Sequence, residues 1–169
     1  MPPTPGALAA TLTARPALAR FSLMTAALLA DFAFVLAPTA PPWLAAQQGY
    51  ITGVQPILKQ ALAHMHMSTL AAAEGDKTKY DITAAMPSLH TAFALICFFV
   101  ARRARMSRFT VGALALNAVA VLFTIVYTGE HYVSDVLAGS LFAVAVWRLT
   151  LALAARRTVG EPAAEPQRA

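Results

Sequence analysis

The sequence predicts an all-α, polytopic helical membrane protein with four transmembrane helices plus an interfacial amphipathic helix. Three observations predict it. Hydrophobic residues make up 58% of the 169 residues and charged residues only 12%, against about 25% charged in an ordinary soluble domain. Four stretches reach or approach the roughly 17–25 apolar residues that a helix needs to cross the hydrocarbon core. The arginines cluster so that all of them fall on one side of those four spans. A chain this apolar is not a disordered one, and its low charge argues against a soluble domain.

The first span is Phe21 to Ala37, apolar except for Asp31 and two hydroxyl residues. A competing reading takes this run, ending in Ala37-Pro38-Thr39-Ala40, as a cleaved signal peptide; Asp31 inside the apolar stretch opposes it. Asp31 itself is expected to pair with Tyr or Ser across the bundle, in a structural or assembly role. Next comes a proline-rich stretch, Pro38 to Trp43, which cannot continue the helix. Trp43 suits a membrane–water interface. From Val54 to Leu70, Ile57, Leu58, Leu62 and Met65 recur at helical spacing, which predicts the amphipathic interfacial helix. Glu74 to Asp81 is a short charged loop. Ala84 to Ala101 is the second span, Phe109 to Tyr127 the third and Tyr132 to Ala155 the fourth.

Arg15 and Arg20 precede the first span, Arg102, Arg103, Arg105 and Arg108 fill the turn between the second and third, and Arg156 and Arg157 follow the fourth. The positive-inside rule makes that side cytoplasmic. Arg148, about two turns before the inner end, can snorkel to it. Residues 1–20 are then a cytoplasmic segment, 21–155 the membrane-embedded domain and 156–169 a disordered cytoplasmic tail. The net charge of +5 suits an anionic inner leaflet, so membrane lipids rather than nucleic acid are the expected partners.

His90, His131 and Asp135 sit at the outer ends of predicted spans, where ionisable groups are functional candidates. His131 and Asp135 are four apart and share a helix face. A carboxylate there can hold the imidazole N–H and leave the other ring nitrogen free as a nucleophile. Gly139 and Ala143 continue that face, smooth enough for a neighbouring helix to pack closely. His90 follows Pro87 and Ser88 at the start of a helix, whose N–H groups and dipole favour a phosphate, and it can protonate a leaving oxygen. Together these residues fit phosphoryl transfer by a histidine nucleophile and a histidine acid, with no metal or cofactor. Glu130 lies on a different face and reads as a rim residue. His64 and His66 flank Met65 but cannot share a helix face, so a copper site is not expected. Cys97, the single cysteine, excludes an intrachain disulfide and reads as a small packing residue.

Met86-Pro87-Ser88-Leu89-His90, followed by Gly129-Glu130-His131-Tyr132-Val133-Ser134-Asp135, resembles the type-2 phosphatidic acid phosphatase superfamily, over roughly residues 25–155. With Thr128, Gly139 and the Pro38 to Trp43 stretch, it looks closest to the inositol-phosphorylceramide-synthase-like branch. The resemblance implies that His131 attacks phosphorus, Asp135 orients it and His90 protonates the leaving group, on the outer side of the membrane. It implies a lipid phosphate substrate, with headgroup transfer of an inositol phosphate type expected. Phosphatidate or polyprenyl pyrophosphate hydrolysis is one alternative and a non-catalytic lipid-phosphate-binding protein the other. Ser88 and Leu89 become phosphate-binding candidates. The lysine and arginine-proline of the superfamily's first motif are not found, Leu89 replaces a glycine, and Thr124-Ile125 stands where serine-arginine is usual. Lys77 and Lys79, just upstream of the second motif, are therefore the candidate phosphate cations, ahead of Lys59. Family members commonly have six spans, so a second copy of the chain or another protein is an expected way to complete the bundle.

Overall fold

A computed structural model describes residues 5–55, 57–75 and 84–159. Among the described residues every regular element is helical: α1 (Pro5–Leu36), α2 (Pro42–Gln47), α3 (Ile57–His64), α4 (Ser68–Gly75), α5 (Leu89–Arg103), α6 (Arg108–Tyr127) and α7 (Val133–Val159). Most of the charged loop and all of 160–169 lie outside the described residues, and so do Lys77 and Lys79. α7 runs past Arg156, into the stretch read as the start of the tail.

Three helices are long and apolar enough to cross a membrane: Ala17–Leu36 within α1, all of α6, and Val133–Arg156 within α7. The second expected span is not among them. α5 holds 15 residues, about 22 Å at the rise of an α-helix, against a hydrocarbon core of about 30 Å. The apolar run begins at Ala84, but residues 84–88 are not helical. Ala84 is bridged to Thr39, and Ser88 is the N-cap, its hydroxyl accepting the Thr91 N–H at 3.4 Å.

Although it is short, α5 is the centre of the bundle, packing against α1, α6 and α7. The core is Ala26, Ala92, Ile96, Ala143 and Val146, wrapped by Leu23, Phe93, Phe99 and Phe142. Three of the five buried residues are alanine, and small side chains let helix backbones approach closely where no water drives association. Larger side chains face outward: Leu28, Phe32 and Val35 on α1, Leu116, Val119 and Phe123 on α6, Leu137 and Leu141 on α7. Two serines within the helices bond the carbonyl one turn back, Ser22 to Leu18 and Ser140 to Val136, both at 2.8 Å, whereas the buried hydroxyls of Thr91 and Thr150 have no partner. Asp31 does not turn inward to a Tyr or Ser. It is exposed on the same α1 surface as Leu28, Phe32 and Val35.

The amphipathic helix expected over Val54 to Leu70 is two helices. His66 takes a left-handed conformation (φ 58), and Met65, His66 and Met67 bond back to Ala61, Ala63 and Leu62. These bonds close α3, and α4 starts afresh at Ser68 and packs beside it. Trp43 likewise departs from expectation. It is buried inside the fold, and its backbone N–H donates to the Gly129 carbonyl at 3.1 Å.

Two elements approach closely at Gly139 of α7. A Cβ there would lie 2.5 Å from the Ser88 carbonyl oxygen, which is backbone and cannot swing aside. Gly112 of α6 has nothing within 4 Å of such an atom. Gly139→Ala should therefore destabilise the protein by about 1–3 kcal/mol through overpacking, while Gly112→Ala should be neutral or mildly stabilising. Thermal midpoints of the two variants in detergent check this; coinciding midpoints would refute the close α5–α7 contact.

Candidate active site

The two histidine-bearing segments are built by local capping. α6 ends in a Schellman arrangement. Gly129 takes φ 76, its N–H bonds the Val126 carbonyl, and the Glu130 N–H bonds that of Ile125. The His131 N–H also reaches the Ile125 carbonyl at 3.0 Å, which tucks His131 under the end of α6. α7 then starts at Val133 with Asp135 in its first turn. Asp135 Oδ2 reaches back to accept the Tyr132 N–H at 2.9 Å, as an acidic residue does in a capping box. Its other oxygen accepts from the Ser134 hydroxyl at 3.4 Å. The carboxylate is thus held before it meets the imidazole.

Two contacts bring α5 to this segment. The Ser88 N–H donates to the Asp135 carbonyl at 3.2 Å, and Gly139 lets the Ser88 backbone lie flat on α7. His90 then projects from the first turn of α5 onto His131. His90 Nδ1 is 3.4 Å from His131 Nε2, the rings edge to face with centroids 5.6 Å apart. On the other side of that ring, Asp135 Oδ2 is 3.5 Å from His131 Nδ1. This is ion-pair range, but Nδ1 forms no hydrogen bond. His131 and Asp135 are buried, whereas His90 is exposed.

The expected site residues therefore converge where they are described. His90, His131, Asp135 and Ser88 form one cluster, and Leu89 sits between two of them. The N–H groups of Leu89 and His90 have no partner among the described residues, so Leu89 in place of glycine still offers its backbone donor. Arg102 and Arg103 lie at the far end of α5, about 20 Å away along the helix. Glu130 is half-buried beside His131. His64 and His66 are exposed, and no group of three or more His, Cys, Asp and Glu among the described residues is placed to hold a metal.

Sequence reasoning missed the stretch that ties both segments together. Thr39 accepts the Ala85 N–H on its carbonyl at 3.2 Å and the Met86 N–H on its hydroxyl at 2.8 Å. Four residues on, Trp43 is bonded to Gly129. The only sequence sign was the position of Pro38 to Trp43 among the residues that resemble the family.

Burial lowers the pKa of His131 below the ordinary imidazole value of 6.5, and the neighbouring His90 lowers it further; Asp135 acts in the opposite direction. His131 is therefore neutral at pH 7, with a lone pair available.

Residues 1–149 match a family model described as the PAP2 superfamily. No curated protein and no solved structure matches the chain significantly.

A histidine held neutral by burial should titrate late. Nitrogen NMR of histidine-labelled protein should show His131 protonating below pH 6.5. In Asp135→Asn, where the upward influence is gone, the midpoint should fall further. A rise in that variant would show that Asp135 does not face the His131 ring.

Proposed function

The chain belongs to the PAP2 superfamily, and on that premise we propose that it performs phosphatase-type chemistry on lipid-linked phosphate esters through a phosphohistidine on His131. One observation carries this reading. His131 has a carboxylate on its Nδ1 side and a second, exposed imidazole 3.4 Å from its Nε2. That is the layout of a nucleophile, its orienting group and a proton donor.

The substrate phosphate enters between the rings as His90 swings outward. Its anionic oxygens meet the free N–H groups of Leu89 and His90 at the start of α5, with Lys77 and Lys79 as further cations. Neutral His131 Nε2 attacks phosphorus. The bond from phosphorus to the ester oxygen breaks, and protonated His90 gives that oxygen its proton. The positive charge that develops on the His131 ring faces Asp135. His90, now neutral, takes a proton from water as the water attacks the phosphohistidine. The nitrogen–phosphorus bond breaks, phosphate leaves, and both histidines return to their starting states.

Water is the acceptor in this reading. Transfer to a polyol, of the inositol phosphate type, is the second reading. It is supported by the likeness of Met86–His90, Thr128–Asp135 and Pro38–Trp43 to the inositol-phosphorylceramide-synthase-like branch, since Thr39 and Trp43 hold the two motif segments together. The site faces the outer side of the membrane, with α5 as a fourth, short crossing. Arg102, Arg103, Arg105 and Arg108, clustered at the α5–α6 turn far from His90, support that orientation.

Purified protein incubated with labelled phosphatidate and polyprenyl pyrophosphate under chelation, with and without inositol, should form an acid-labile phosphoprotein. His131→Ala should abolish it, and His90→Ala should slow turnover by about 10²–10⁴-fold, the usual contribution of a positioned acid. Equal turnover in wild type and His131→Ala would sink the mechanism, and label passing to inositol would select the second reading. Membrane-impermeant thiol reagents should label Lys77→Cys and Arg105→Cys from opposite sides of sealed vesicles; labelling of both from one side would overturn the orientation.

A further inference from the structure

Asn117 is the tenth of the 20 residues of α6, a helix long and apolar enough to cross a membrane. Its side chain is exposed and has no hydrogen bond among the described residues. On an aqueous surface water would serve it. Halfway along a membrane span the hydrocarbon offers neither donor nor acceptor, and a bare carboxamide there is costly. The fold of one chain does not relieve it. The buried residues of α6, Ala118 and Ile125, lie on a different side of the helix, which packs mainly on α5.

Asn117 belongs to an open row. Ala113, Ala120, Thr124 and Tyr127 are exposed with it, at steps of four, three, four and three residues along the chain. That alternation is the seam of two helices wound around each other. Ala113 and Ala120, on either side of Asn117, are small enough for two backbones to come close. A single asparagine in such a seam pairs across it and fixes register and strand number.

The same helix of a second copy is the partner that fits. A carboxamide carries both donor and acceptor, so two of them related by a two-fold axis satisfy each other. Copies inserted in one direction present residue 117 at one depth, so α6 meets α6 in parallel and in register. Asp31, exposed on α1, does not fill this role. Two copies of it would set like charges against each other. It also sits at another depth, five residues or about 7 Å from Leu36, whereas Asn117 is ten residues or about 15 Å from Tyr127. Those two helix ends lie on the same side of the bundle, since Trp43 is bonded to Gly129.

We propose that the α6 face bearing Asn117 is a dimer interface, at which two copies of this chain join through a parallel α6–α6 seam and a hydrogen-bonded Asn117–Asn117 pair. The interface is separate from the histidine cluster and does not depend on the phosphate chemistry.

The test reads association and needs no turnover. Full-length protein carrying Arg156→Cys in a Cys97→Ser background is labelled in two pools with donor and acceptor dyes, then reconstituted together into liposomes at falling protein density. Energy transfer should be lost at a defined midpoint density. Asn117→Ala should raise that midpoint about 5–30-fold, the loss of an interhelical hydrogen bond. Alanine is a good helix former, so the variant keeps α6. Leu28→Ala, on the exposed face of α1, should leave the midpoint in place. In the Cys97→Ser protein without a dye site, oxidation should link Ala120→Cys into a disulfide dimer and not Leu141→Cys, on the exposed face of α7. A chain that stays monomeric at every density would overturn the proposal and leave Asn117 to a different protein. An unmoved midpoint in Asn117→Ala, an equal shift in Leu28→Ala, or Leu141→Cys linking as fast as Ala120→Cys would each overturn it as well.

Discussion

The structure depends on one backbone contact, the seating of Ser88 on the first turns of α7. Gly139 has no Cβ, so the Ser88 carbonyl can come to where a side chain would begin. The Ser88 N–H is taken by the Asp135 carbonyl. Both are main-chain interactions between segments almost fifty residues apart in sequence, and both fall where α5 and α7 start. Two helices brought together at their N-termini place side chains in and just before their first turns face to face. The meeting of His90 with His131 follows from that, because each histidine is only two or four residues from a contact atom.

A second constraint keeps these starts from drifting. Thr39 binds the lead-in to α5 through both its carbonyl and its hydroxyl, and Trp43 binds the turn that leads to α7. Between them Pro41, the N-cap of α2, and Pro42, its first residue, have fixed φ and no N–H to satisfy, so this buried lead-in to α2 leaves few orphan donors in an environment poor in water. Asp135 is stabilised in the same economical way. It caps α7 through the Tyr132 N–H, so the carboxylate that faces His131 is fixed by the helix and does not depend on the imidazole for its position.

The helical class, three long apolar segments and the candidate cluster of His90, His131 and Asp135 were legible in the sequence because each leaves a periodic or spaced pattern. The i,i+4 pairing of His131 with Asp135 and the smooth Gly139–Ala143 face are properties of a single helix, and both are found. What was not legible depends on contacts across the chain. Ala84 to Ser88 reads as the start of an apolar span by composition, yet Thr39 holds Ala84 and Ala85 in extended backbone and Ser88 caps the helix, so α5 begins late. The periodicity from Ile57 to Met65 is real, but nothing in it announces that His66 will turn left-handed and split the segment into α3 and α4. Trp43 is amphipathic enough for an interface; its burial follows from the backbone bond to Gly129, which no local pattern encodes. Asp31 was expected to find a partner because charge within a span is costly, but its place on the α1 wheel points it away from the bundle.

The scarcity of cations near His131 among the described residues and the neutrality of that ring are linked. A phosphate ester brings negative charge to a half-buried site, and the arginines of α5 and α6 are at the other end of the bundle. The described residues answer with dipoles: two unbonded N–H groups and the positive end of α5, about half an elementary charge. The second histidine adds a full charge only when protonated. A permanent guanidinium beside His131 would hold the phosphate more strongly, but it would persist through the cycle and also bind the product phosphate. In the reaction proposed above, His90 instead passes its proton to the leaving oxygen, so no fixed charge persists to hold the product. Burial and the neighbouring His90, 3.4 Å away, lower the pKa of His131, which favours the neutral ring with its lone pair. Exposure of His90 and burial of His131 suit the division of labour proposed for them, in which the exposed ring exchanges protons with water and the buried one attacks.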